Sequence, residues 1–320
     1  MTIAIIGAGG VGGYFGARWA AAGHDVTLIA RGDHLEAIRA RGVRLVSPAG
    51  DAVVPVLAVE DTSGIGQVDA VLVATKTWQL PDAAGHLRAL VGQDTVVFGA
   101  QNGVEAPDQL AAVVGRERVL GGTCRIIAFI AEPGVIKHVG VEPTLLVGEP
   151  DGGDSGRVRA LEAALDLGPA ARLIASADIR AELWRKFLFF APMSGVGAVT
   201  RATVGAIREQ TETRTMLRAA FDEVYAVSVA AGIGLPEGVV DTIDAFVDTL
   251  PHDGTSSLQR DFDAGRRTEL DALAGAMTRL GRKHRVPTPV HDLLYAALLP
   301  MERRARGEVE SSHPRMRLRG

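Results

Sequence analysis

The chain is short of several things, and each shortage closes a class of function. It has one cysteine, Cys124, in 320 residues. A single thiol builds neither a disulfide framework nor a cysteine-based zinc site, and it suits a reducing compartment. Aromatic residues make up only 5% of the chain, which leaves the core to Ala, Val and Leu contacts. Positive charge is not in excess: 34 Lys and Arg against 38 Asp and Glu give a net charge of −4. No global basic field exists to hold nucleic acid. Long hydrophobic runs are missing as well. The longest uncharged apolar stretch of the second half, Phe187 to Thr200, is interrupted by Pro192 and falls short of the ~20 residues a bilayer span needs. No basic segment precedes Ile3, so no secretory leader is expected and the reading is a cytoplasmic protein with no membrane partner. The eight histidines form no His-x-x-x-His pair with an acid between them, so no metal site is expected. Neither a Gly-x-Ser-x-Gly elbow nor a phosphate loop with Gly-Lys-Ser/Thr occurs.

What is present is a packed chain, 47% apolar and 22% charged, which excludes a disordered polymer. Its length suits two domains of about 150 residues each. Ile3 to Ile6 reads as a buried strand that meets Gly7 at once. Val11, Phe15 and Trp19 then recur at helical spacing up to Gly23, and Asp25 to Ala30 is a second strand. Asp33 to Ala40 reads as helix, Ala70 to Ala74 and Thr95 to Phe98 as strands, and Asp108 to Val114 as helix after Pro107. Three shorter strands, Arg125 to Ile130, Val135 to Val139 and Thr144 to Val147, are expected to turn the later sheet antiparallel. Beyond Ala175 no strand is expected. Helices are predicted over Ile179 to Phe190, Arg214 to Ala231, Val239 to Leu250, Glu269 to Arg285 and Val290 to Arg304. The predicted fold class is α/β: an N-terminal Rossmann-type doubly wound sheet over 1–175, an all-α helical domain over 176–306, and a polar tail over 307–320.

Three groups of residues point to chemistry. Gly7, Ala8, Gly9, Gly10, Val11 and Gly12 form Gly-x-Gly-x-x-Gly between a strand and a helix. The first glycine makes the tight turn, the second lets a pyrophosphate approach the backbone, and the third lets the helix pack close to the strand. The helix N-terminus then faces the phosphates with free N–H groups. Where an NAD site places an acid at the end of the second strand, this chain has Ala30 and Arg31. A guanidinium there suits a 2′-phosphate, so the expected cofactor is NADPH; the plain alternative is a solvated arginine. Lys76 and Asn102 follow two further strands and so fall on the ligand rim of such a sheet. Lys76 also reads as an exposed charge, and Asn102 as an Asn-Gly turn residue.

Lys186 lies in a predicted helix among Leu183, Trp184, Phe187 and Leu188. By itself it reads as a snorkelling residue. It can also serve a reductase, because hydride addition to a ketone leaves an alkoxide, and a lysine ammonium, with an ordinary pKa of ~10.4, can protonate it. Glu269, after Arg266, Arg267 and Thr268, reads as an acid at a helix start. It can also keep a lysine charged or hold a substrate hydroxyl.

Five segments carry a resemblance: IIGAGGVGGYFGARWAAAGHDVTLIARG, ATKTWQ, QNGVE, LWRKF and SSLQRDFDAGRRTELD. They span nearly the whole chain, and in that order the chain resembles the ketopantoate reductase family. The resemblance implies NADPH-dependent reduction of a 2-oxo acid, ketopantoate, to a 2-hydroxy acid, pantoate, for pantothenate synthesis. It implies that Lys186 is the general acid and that Ser257 and Glu269 bind substrate. It also implies that Arg31 holds NADPH and that Lys76 and Asn102 line the cofactor and substrate. The small-molecule 2-oxo acid is the expected partner, and a homodimer the expected assembly. The chain departs from the family pattern at two places, where Phe190 and Ser194 stand for asparagines. Lys186 and Phe190 are i, i+4 and share a helical face. A different, more apolar 2-oxo acid is therefore a second expectation, unless Phe190 turns into the core. A 3-hydroxy acid dehydrogenase and a non-catalytic NADPH sensor are the remaining readings.

Overall fold

Short Val- and Ile-rich runs form the parallel strands of a sheet: β1 (Thr2–Ile6), β2 (Asp25–Ile29), β5 (Leu57–Val59), β6 (Ala70–Val73) and β7 (Val96–Gly99). Two small strands, β3 (Val43–Val46) and β4 (Ala52–Val54), precede β5, and the long pair β8 (Val119–Glu132) and β9 (Val135–Gly148) and the short β10 (Arg172–Ala175) follow β7. The structure is a computed structural model that describes residues 1–309. The part of the expected polar tail from residue 310 on lies outside the described residues.

The strand order β5-β2-β1-β6-β7-β8 is parallel throughout. That is the doubly wound arrangement in which the order reverses beside the first strand, the place where such sheets bind ligands. Alternate residues face opposite sides. Ile3, Ile5, Leu72 and Phe98 pack with Tyr14, Phe15 and Trp19 of α1 (Gly10–Ala21). Ala4, Ile6, Val71 and Val73 pack with Leu80 and Leu87 of α3 (Leu80–Leu90) and Leu110 of α4 (Ala106–Val114). Each such large apolar side chain contributes about 1.5–3 kcal/mol on burial. Helix α2 (Gly32–Arg41) follows β2, and α5 (Gly156–Leu165) precedes β10.

Beyond β8 the sheet changes sense. β9 runs antiparallel to β8, and parallel to β3 and β10. The three short strands expected over this stretch are two continuous strands of 14 residues each. Gly140 and Pro143 look like breaks in the sequence. They lie instead where Arg125 pairs with Thr144 and Ile127 with Val139, an irregularity that takes up the extra residues without ending the ladder.

The chain divides into two compact units, Met1–Leu183 and the part from Trp184 onward. Among the described residues the second unit is helical: α6 (Ile179–Thr200, begun in the first unit), α7 (Val204–Glu209), α8 (Thr211–Ala230), α9 (Val239–Thr249), α10 (Ser257–Asp263), α11 (Ala274–His284) and α12 (Pro289–Ala305). Two expectations are corrected. The helix predicted to stop at Phe190 runs on through Pro192 to Thr200, because residues 191–198 are all buried and their packing outweighs one missing N–H. The single helix predicted over Glu269 to Arg285 is a 3-10 turn, Leu270–Ala272, and then α11, separated at Leu273 (φ −106, ψ −93). No described helix is long and apolar enough to cross a membrane.

Candidate functional site

The first candidate site is made of backbone. β1 ends at Ile6, and Gly7 turns the chain with φ +99. The N–H groups of Gly7 and Ala8 both donate to the Ile29 carbonyl at 3.2 Å, which fixes the start of the loop to β2. Gly9 is the extended N-cap of α1, and a Cβ built there meets nothing within 4 Å. No acidic residue stands in the first turn of α1, and the N–H groups of Gly9, Gly10, Val11 and Gly12 have no backbone acceptor among the described residues. Open space, unspent donors and the positive end of a helix together fit an anionic pyrophosphate. A Cβ on Gly12 would strike the Gly7 carbonyl and lie 2.9 Å from Ala74 Cβ and Ile5 Cγ2. A Cβ on Gly10 would lie 2.5 Å from the carbonyl carbon of Ala128, in β8.

Since β1, β2, β6 and β7 are parallel, the residues after them share one edge of the sheet. Arg31, exposed, is the N-cap of α2 just beyond β2. Lys76, half-buried, follows β6 and caps a 3-10 turn, Thr77–Gln79; its N–H donates to Gln79 Oε1 at 3.1 Å. Asn102, half-buried, follows β7, and the positive φ of its Asn-Gly turn (+95) falls on Gly103. Thus the turn does not require asparagine at 102 for its backbone shape.

Sequence reasoning missed His34 in α2. Gly134, in the turn between β8 and β9, donates its N–H to Nδ1 at 3.0 Å, so the ring proton sits on Nε2, which donates to the Ala8 carbonyl at 2.9 Å. Burial pushes this imidazole below its ordinary value, the Ala8 hydrogen bond working against it. Its partners lie 26 and 100 residues away in sequence, so no local pattern announces them.

The second candidate site is made of side chains. Lys186 is half-buried on α6, and its Nζ stands 5.8 Å from the centroid of the Phe190 ring, which is itself half-buried. Phe190 therefore shares the lysine's face and is not turned into the core. Ser194, two turns on, is fully buried and its Oγ has no hydrogen-bond partner among the described residues. Ser257 is the first residue of α10, behind the cap in which Ser256 Oγ accepts from the Gln259 N–H at 3.1 Å. Gln259 in turn donates to the Ala202 carbonyl at 3.2 Å, just past the end of α6.

Glu269, the acid read at a helix start, stands at the start of a 3-10 turn rather than of an α-helix. It is only 5% exposed. Its neighbours are pinned from α12. Thr268 donates its N–H (3.0 Å) and its hydroxyl (2.6 Å) to Glu302 Oε2, while Arg306 Nε donates to Glu302 Oε1 at 2.8 Å. Arg306 also bonds Asp271, which accepts from the Tyr295 hydroxyl at 2.7 Å. Burial by itself would raise the Asp271 carboxyl, but Tyr295 and Arg306 outweigh it and hold it below the ordinary carboxylate value. Burial likewise opposes the Arg306 charge, and Asp271 and Glu302 still hold its pKa above that of a free arginine. No group of three His, Cys, Asp or Glu side chains stands in metal-binding geometry among the described residues.

Comparison with known proteins gives the family. Residues 3–152 match the family model for ketopantoate reductase PanE/ApbA, and residues 178–302 match that for its C-terminal domain. A 2-dehydropantoate 2-reductase of Mesorhizobium japonicum is 35% identical over 318 residues, covering 92% of this chain and 96% of the relative. The crystal structure of a PanE/ApbA family ketopantoate reductase from Ralstonia eutropha JMP134 superposes with a TM-score of 0.87 at 30% identity, covering 96% of this chain and 100% of that one. A D-mandelate dehydrogenase solved with NADH and anilino(oxo)acetate shares the fold, with a TM-score of 0.85 at 24% identity over 96% of this chain and 99% of that one.

Proposed function

The chain is an oxidoreductase that belongs to the ketopantoate reductase family, and we propose that it reduces ketopantoate to pantoate with NADPH, a step toward pantothenate. The observation that carries the reading is the backbone cradle at Gly7–Gly12 with Arg31, not an acid, at the end of β2. The N–H groups of Gly9 to Gly12 hold the pyrophosphate and the Arg31 guanidinium holds the 2′-phosphate. Lys76 and Asn102 line the nucleotide at the carboxyl ends of β6 and β7. Bound there, the reduced nicotinamide supplies the hydride. The Lys186 ammonium gives its proton to the substrate oxygen as the carbonyl carbon becomes tetrahedral, so the alkoxide is never left bare. Ser257 donates to the substrate, and Glu269 accepts from its hydroxyl. One 2-oxo acid, one NADPH and one proton give one 2-hydroxy acid and one NADP⁺.

NADPH oxidation measured over a panel of 2-oxo acids tests this. The highest kcat/KM is expected on ketopantoate, and NADH is expected to be the poorer donor. A chain that oxidises NADH faster than NADPH overturns the role of Arg31. A chain that binds NADPH and turns over no 2-oxo acid is a sensor rather than an enzyme.

One observation favours a second reading. Phe190 presents an aromatic ring beside the Lys186 ammonium, where the family resemblance implies an amide. A polar substrate loses a partner at that place and an apolar one gains a surface. A kcat/KM that rises with the size of the substrate's apolar group, and is shifted toward ketopantoate by Phe190→Asn, supports the more apolar 2-oxo acid. A high kcat/KM on ketopantoate that this substitution does not improve removes it.

A further inference from the structure

We infer that His34 is a positioning residue for the pyrophosphate: by holding the Ala8 carbonyl it aims the Gly9 N–H at the phosphates. The inference rests on the reading that the Gly7–Gly12 loop binds the nucleotide.

The argument begins with the peptide between Ala8 and Gly9. A trans peptide is planar, so the carbonyl of Ala8 and the N–H of Gly9 point in opposite directions. Fixing one fixes the other. Rotating this peptide changes ψ of Ala8 and φ of Gly9, and glycine accepts almost any φ at little cost. The glycine that gives a pyrophosphate room to approach thus also leaves the preceding peptide free to turn its N–H away. The loop needs an outside hold on that peptide, and His34 is placed to provide it. The preceding peptide is already held, since the Ala8 N–H donates to the Ile29 carbonyl at 3.2 Å.

The imidazole can hold the carbonyl only if its own orientation is set. Gly134 sets it, donating to Nδ1 at 3.0 Å and leaving the proton on Nε2 for Ala8 at 2.9 Å. Gly134 is in turn anchored: its carbonyl accepts from the Arg44 N–H at 2.9 Å, and its Cα faces Ala37 of α2, where an added Cβ would lie 3.0 Å from Ala37 Cβ. The ring therefore ties the phosphate loop to α2 and to the β8–β9 turn. The depressed imidazole pKa keeps the ring in the neutral form that can accept from Gly134 and donate to Ala8 together.

The test uses two probes that differ in the pyrophosphate. NADPH carries it; adenosine 2′-monophosphate carries the 2′-phosphate without it. His34→Phe keeps a ring of similar size and removes both hydrogen bonds. It is expected to raise the Kd for NADPH about tenfold, the equivalent of one charge-assisted hydrogen bond, and to leave the Kd for adenosine 2′-monophosphate within about twofold. His34→Gln, which can both donate and accept, is expected to recover most of the NADPH affinity. The kcat at saturating NADPH is expected to stay at the wild-type value. If His34→Phe does not fold, His34→Ala and His34→Gln carry the same comparison. A folded variant without the ring that binds NADPH as wild type does, or that loses both probes by the same factor, overturns the inference. A wild-type protein that binds no NADPH overturns the nucleotide reading and this inference together, which separates that failure from one confined to His34.

Discussion

The Gly7–Gly12 loop and the Thr268–Asp271 turn are built of opposite materials. In the loop, the groups left without a backbone acceptor among the described residues are N–H donors, and the sequence does its work by leaving side chains out: a Cβ at Gly12 would strike the Gly7 carbonyl. In the turn, a buried glutamate is flanked by residues held through a carboxylate, a guanidinium and a phenol from 24 to 35 positions away. A site made by omission is intolerant of additions. A site made by side chains depends on every distant partner that holds it. Substitutions should therefore fail differently in the two units.

The largest effect is expected from Lys186→Ala, which removes the proton donor. The kcat should fall by roughly 10²–10⁴-fold while NADPH affinity, measured by fluorescence titration, stays unchanged. Equal loss in both would mean that the two units do not divide the labour as proposed. Next comes Gly12→Ala. Its methyl meets backbone, which cannot step aside, and overpacking of this kind costs about 1–3 kcal/mol. Nucleotide Kd should rise by about tenfold or more, and KM for the 2-oxo acid should move little. Glu302→Ala is the matching experiment on the turn. Glu302 is fully buried between Thr268 and Arg306, and removing one member of such a pair costs about 3 kcal/mol. The expected result is a lower Tm and a raised KM for the 2-oxo acid, with the NADPH Kd of the folded variant unaltered.

Smaller still is the effect of pH on the turn. Asp271 is held below its ordinary carboxylate value in the folded protein. The unfolded chain therefore takes up this proton first on acidification. The stabilisation from Asp271 is full above a pH of about 4 and is lost as pH falls through the lower folded value. Wild-type Tm should drop more steeply over that acid range than the Tm of Asp271→Asn. Parallel curves would remove Asp271 from the account.

What the sequence made legible follows the same division. The glycine loop, the strand–helix alternation and the all-helical second half are encoded in neighbours a few residues apart, as is the shared face of Lys186 and Phe190. Gly140 and Pro143 misled because they look like strand ends, and only pairing with β8 shows that the ladder continues past them. For Glu269 the neighbouring letters show an acid at a helix start and say nothing of its burial. Nearby Thr268 and Asp271 are held by Glu302, Arg306 and Tyr295, which lie on or at the end of a helix whose amphipathic pattern says only that one side is covered. His34 was silent for a simpler reason: both of its partners are backbone atoms, and backbone atoms leave no letter in the sequence.

The contact between Gly10 and Ala128 has a consequence for how such proteins diverge. The fingerprint Gly-x-Gly-x-x-Gly leaves the fourth place open to any residue, yet here the β8 main chain occupies the volume a methyl group would need. Among chains of this architecture, identity at that one letter and the height of the β8–β9 hairpin above the first helix should change in step. Crystal structures of relatives bearing alanine there ought to reveal a wider gap.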